Sequence, residues 1–192
     1  MSLLNTKMLD LSAFRILVLD DNANIRSIVK MILRAMGIKD VRDTADGRKA
    51  LNYLETTNID IIITDWMMDG MDGAEFVSRV RGHKIRSKSM TPIIMLSGFT
   101  ETSRVARARN MGVTEFLAKP VSPVELYLRI VEIVRRPRQF VRTETFFGPD
   151  RHRKLIPDYA GPLRRDGDGG SDGDADRDTD RDTGQDEKDG VK

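Results

Sequence analysis

Two hydrophobic rhythms alternate along the chain between Phe14 and Arg136. Runs that are apolar throughout read as strands buried on both faces, and apolar residues three and four apart read as one-sided helices. Arg15-Ile16-Leu17-Val18-Leu19-Asp20 is such a strand, ending in an acid. Ile25, Ile28, Val29, Ile32, Leu33 and Met36 then recur at helical spacing, and Gly37 supplies the stop. A weak second strand surrounds Val41, and a short helix carrying Ala50, Leu51 and Leu54 opens at Asp46-Gly47. The clearest strand is Asp60-Ile61-Ile62-Ile63-Thr64-Asp65. A Gly- and Met-rich loop leads from it to a helix over about 74–83 with Phe76, Val77 and Val80 on one face. Pro92–Ser97 is strand four. A helix is predicted over about 102–111, ending at Gly112, and Thr114–Lys119 is strand five. Pro120 ends that strand; Ser122 as N-cap and Pro123 in the first turn open a last helix.

Strands alternating with helices imply a parallel sheet covered on both faces. In such a sheet ligands bind beyond the carboxyl ends of the strands. Those ends carry Asp20 and Asp21, Asp65, Ser97 and Lys119. Three carboxylates on one rim repel unless a cation sits among them, and hard oxygen donors suit Mg²⁺. Lys119 adds a further positive charge, useful when a phosphoryl group arrives, and Ser97 can contact the same oxygens. Taken singly, each acid could be solvated surface, and Asp21 could cap the first helix.

Composition narrows the class. No run approaches the roughly 20 apolar residues of a membrane span, and the N-terminus has no h-region of secretory length. With no cysteine there is neither disulfide framework nor thiolate site, which is compatible with a cytoplasmic location. The formal net charge of +2 is unevenly spread: +5 over residues 1–136, +4 over 137–165 and −7 over 166–192. The expected organisation is an N-terminal extension (1–13), a folded domain (14–136), a basic extension (137–165) and an acidic, disordered tail (166–192).

Val18-Leu19-Asp20-Asp21, the loop Asp65-Trp66-Met67-Met68-Asp69-Gly70-Met71-Asp72-Gly73, Met95-Leu96-Ser97-Gly98 and Lys119-Pro120, with the spacing between them, resemble the response-regulator receiver domains of two-component signalling, of the stand-alone type of the chemotaxis regulator. The resemblance covers about residues 14–136. It implies a doubly wound, flavodoxin-like five-stranded sheet of order 2-1-3-4-5. It also implies that Asp65 accepts phosphate from a sensor histidine kinase or a histidine phosphotransfer protein. Asp20, Asp21, Asp65 and the backbone carbonyl of Met67 would hold Mg²⁺, and Phe116 stands at the switch-aromatic position. Three residues depart from the pattern: Asp69 replaces a frequent proline, Gly98 a frequent alanine, and Met67 puts an apolar side chain beside the site.

Residues after 136 lack paired amphipathic helices and any catalytic constellation, so no DNA-binding output is expected from them. The signal is expected to leave by contact with a downstream protein, with no direct nucleic-acid or membrane partner. Phe146-Phe147-Gly148-Pro149-Asp150-Arg151-His152 and Tyr159-Ala160-Gly161-Pro162-Leu163-Arg164-Arg165 form a near-repeat whose Gly-Pro steps favour extended turns. It reads as a partner-binding element or as a plain linker. Asp172, Asp174 and Asp176 imitate a calcium loop, which fails at Arg177 and Thr183. A haloacid-dehalogenase-type phosphatase would need a second Asp where Met67 stands, and a dinucleotide-binding enzyme a Gly-rich turn after strand one. Two readings remain: a phosphoacceptor, not an enzyme beyond its own phosphorylation and dephosphorylation, and a phosphorylation-independent adaptor of the same fold.

Overall fold

In the computed structural model the described residues are 9–98 and 110–150. Five strands, β1 (Arg15–Leu19), β2 (Asp40–Thr44), β3 (Ile61–Asp65), β4 (Ile93–Ser97) and β5 (Glu115–Ala118), form one parallel sheet of order β2-β1-β3-β4-β5. Both faces are covered. Ile16, Val18, Ile61, Ile63, Ile94, Leu96 and Leu117 point toward α1 (Ala23–Ala35) and the last helix, α5 (Pro123–Arg135). Leu17, Leu19, Ile62, Ile93 and Met95 point toward α2 (Gly47–Thr56) and α3 (Gly73–Arg81). The apolar runs lack alternation because adjacent side chains enter different cores, each buried Ile or Leu contributing about 2 kcal/mol.

Local signals set the helix boundaries. Asn22, not Asp21, caps α1 by accepting from the N–H groups of Asn24 and Ile25, and Asp46 caps α2 in the same way. Ser122 occupies the cap position of α5 without a side-chain capping bond, so that helix start rests on Pro123 at its first turn. A one-turn helix, α4 (Arg86–Ser89), is too short to leave a periodic signal. The predicted 102–111 helix lies almost wholly outside the described residues, as do the second Gly-Pro unit, the acidic tail and its calcium-loop imitation.

The sequence-based boundaries at 13 and 136 do not coincide with the limits of packing. Leu11 is buried in the α1/α5 core. After α5, β6 (Phe140–Arg142) and β7 (Phe147–Pro149) pair antiparallel, and Gly148 and Pro149 are buried.

Candidate functional site

Parallel strands place their carboxyl ends on one rim, and the acidic residues follow from that. Asp20 stands directly after β1 and is fully buried. Asp65 is the last residue of β3 and is nearly so. Asp21 is exposed beside them, and one carboxylate oxygen from each of the three lies within 4.8 Å of the others. Lys119 follows β5, across a cis peptide bond from Pro120, and its Nζ lies 2.9 Å from Asp20 Oδ2 and 3.0 Å from Asp65 Oδ1. Ser97 is buried at the end of β4, and its carbonyl accepts the Lys119 N–H at 2.7 Å. Four of the five rim residues are thus joined or clustered directly. Ser97 joins through the backbone.

The electrostatics are unbalanced. Burial pushes the Asp65 carboxyl above its ordinary range, and the Asp20 charge adds to this, while Lys119 and the Trp66 N–H (2.8 Å from Asp65 Oδ1) oppose it. Burial alone would lower the Lys119 ammonium, but its hydrogen bonds to Asp20 and Asp65 outweigh that and leave it raised. Among the described residues one ammonium faces three carboxylates. Such a cluster of hard oxygen donors with surplus negative charge fits a Mg²⁺ ion, with Asp20, Asp21 and Asp65 as donors. Met67 exposes its side chain, and Phe116 is half-buried on β5, next to Met95 of β4.

The positioning roles of two residues, Arg26 and the Gly73 that closes the motif loop, escaped the sequence reading. Arg26 donates from Nη1 to the carbonyls of Asp20 (2.7 Å) and Asp21 (3.1 Å), while its Nε pairs with Asp43 at 3.2 Å. It locks the turn that presents both acids. The available signal was a cation in the first turn of α1, where the helix dipole disfavours one unless something nearby compensates. Gly73 is the other: a Cβ there would stand 2.2 Å from the Asp65 carbonyl oxygen, so only glycine lets α3 start this close to the site. Asp69, the departure in that loop, reaches the site through its backbone, donating N–H to Asp21 Oδ2 at 3.2 Å.

Comparison with known proteins places the fold in a family. Residues 16–131 match the family model described as the response regulator receiver domain. The chemotaxis protein CheY of Pseudomonas aeruginosa is 32% identical over 122 residues, 64% of this chain and 97% of that protein. The phosphate regulon transcriptional regulatory protein PhoB of Escherichia coli is 35% identical over 127 residues, covering 65% of this chain and 53% of PhoB. Among solved structures, the chemotaxis response regulator CheY4 of Vibrio cholerae aligns with a TM-score of 0.56 at 35% identity, over 63% of this chain and 98% of that one. With the sheet order, the acid cluster and the family match in agreement, the chain belongs to the response regulator receiver domain family.

Proposed function

We propose that the protein is a phosphoacceptor response regulator that takes a phosphoryl group from a histidine residue of a kinase or phosphotransfer protein onto Asp65. The observation that carries this reading is the surplus of negative charge on the rim: three clustered carboxylates against the Lys119 ammonium. A surplus of negative charge on a partly buried rim is costly unless a cation offsets it, and a divalent ion beside the Lys119 ammonium would then receive the anionic phosphoryl group.

An Asp65 carboxylate oxygen forms the new O–P bond as the N–P bond to the donor histidine breaks, and the leaving imidazole takes up a proton. Asp20, Asp21, Asp65 and the Met67 carbonyl are the groups that would hold Mg²⁺, which when bound neutralises and aligns the phosphoryl oxygens. Lys119 supplies a donor to one of those oxygens and Ser97 a hydroxyl to another. Arg26 and Gly73 hold the two acid-bearing turns where they must be for this chemistry. The product acyl phosphate is hydrolysable, so the mark is temporary. Phe116 follows Ser97 in a shift between two packings, and the signal passes to a downstream protein through the receiver surface. A cytoplasmic location accompanies that chemistry; among the described residues no helix is long and apolar enough to cross a membrane.

The test is incubation with acetyl phosphate and Mg²⁺ followed by intact-mass measurement. The expected result is one added phosphoryl group, absent in Asp65→Asn. A wild-type rate of labelling in that variant would overturn the assignment. No labelling of the wild type would favour the phosphorylation-independent adaptor.

A further inference from the structure

The rim is not the only place where β5 ends in an ion pair. Glu115, its first residue, is 4% exposed, and its carboxylate meets Arg138 Nη2 at 2.6 Å and Arg129 Nη1 at 3.4 Å. Arg138 leads into the β6–β7 hairpin, and the hairpin is seated closely. Phe140 lies against the buried guanidinium of Arg81, whose Cζ is 5.1 Å from the ring centre. Arg81 donates from Nε to the Gly112 carbonyl and from Nη1 to those of Ser89 and Thr91, all at 2.8 Å; among the described residues its Nη2 has no hydrogen-bond partner. A Cβ on Gly148 would stand 2.8 Å from Gly112 Cα, so the two backbones touch where only glycine permits. The first Gly-Pro unit, as far as Asp150, is therefore a docked element of the receiver.

One short strand thus holds the candidate phosphoacceptor at its carboxyl end, through Lys119, and the hairpin at its amino end, through Glu115. The two ends are about 13 Å apart at 3.3 Å per residue. β5 is an edge strand, bonded to β4 alone, so it can move without breaking a second ladder.

We propose that β5 couples the state of Asp65 to the docking of the hairpin: a phosphoryl group on Asp65 moves Lys119 from its present contacts with Asp20 and Asp65 onto the phosphoryl oxygens, pulls Glu115 away from Arg138 and loosens the hairpin. The coupling rests on the phosphoacceptor reading of Asp65. It makes the hairpin an output element, because the basic chain continues directly from Asp150. The coupling is a differential contact between two states of one element, which is what a population shift requires.

Hydrogen exchange on the full chain tests this. The readout is the segment 139–150, where the Thr143 N–H bonds to the Phe146 carbonyl (2.8 Å) and the Asp150 N–H to that of Gln139 (2.7 Å). Acetyl phosphate with Mg²⁺ should speed exchange there by about fivefold or more, the lower end of ordinary allosteric couplings, in the wild type and not in Asp65→Asn. Glu115→Gln, or Arg138→Gln if that variant fails to fold, should show fast exchange before any phosphodonor is added and no further gain, while still taking up the phosphoryl group. Intact mass runs alongside. An added phosphoryl group with unchanged or slower exchange would overturn the coupling alone. No added mass would overturn the phosphoacceptor reading and the coupling with it.

Discussion

Both ends of β5 bury charge, and they do so in opposite ways. At the carboxyl end, Asp20, Asp21 and Asp65 outnumber Lys119, and burial with like-charge proximity pushes Asp65 above its ordinary range. At the amino end, among the described residues, Glu115 pairs with two guanidinium groups, and Arg81 donates to three main-chain carbonyls and lies against an aromatic ring. Burial draws Arg81 down to about 9, still charged at neutral pH. An acid cluster left under-neutralised stores a demand for ligand. A cluster matched by its own neighbours is architecture. The same physics, the cost of desolvating charge, yields a pole proposed as reactive and a structural one.

The largest expected effect is at the reactive pole. Asp65→Asn should abolish phosphoryl uptake while leaving the fold intact, since it relieves rather than creates buried charge; mass spectrometry and circular dichroism read the two halves. Asp20→Ala or Asp21→Ala should weaken Mg²⁺ binding and slow uptake, by about a hundredfold as for loss of one electrostatic stabiliser at an active site. Trp66, bonded to Asp65 through its backbone N–H, is the fluorescent reporter for that titration. An unchanged Mg²⁺ midpoint would remove these acids from the proposed metal set. Lys119→Ala should keep some uptake yet lose partner capture, because this residue ties the phosphoryl group to β5.

Smaller effects separate positioning from architecture. Gly73→Ala forces a Cβ to 2.2 Å from the Asp65 carbonyl, so α3 must retreat. Overpacking of this kind costs about 1–3 kcal/mol, read as a lowered denaturation midpoint, and it should slow uptake as well. Arg138→Ala removes the nearer of the two guanidinium groups paired with Glu115 among the described residues, a loss of about 1–2 kcal/mol in the same measurement. Similar losses in uptake for these two variants would erase the distinction between the poles.

The smallest effect is one of pH. Burial would raise the Asp43 carboxyl, but Lys30 (2.7 Å) and Arg26 (3.2 Å) outweigh it and hold its pKa below the ordinary value. The folded state therefore binds fewer protons there than the unfolded chain. The stabilisation is complete above the unfolded carboxyl pKa, about 4, and disappears as pH falls through the folded value. Asp43→Asn should flatten the acid limb of a stability–pH curve by less than about 1 kcal/mol. An unchanged acid limb would mean that the pair contributes nothing to folding.

What the amino-acid sequence by itself determined was the sheet and the rim. Apolar runs, caps and breakers are local signals, and the rule that parallel strands end together turns five separate residues into one candidate site without any knowledge of distance. Tertiary structure alone decided how those residues are held and what packs beyond residue 136. Arg81 finds the Gly112 carbonyl 31 residues away, Arg138 finds Glu115 across 23, and Gly148 meets Gly112 by backbone contact. The same holds for Arg26: a cation in the first turn of α1 asks for a compensating partner, but nothing along the chain says that it grips the two carbonyls of the acid turn. Pattern along the chain reports which face is buried and where an element ends. Which partner a long polar side chain reaches depends on the packing of distant elements, and no periodicity carries that information.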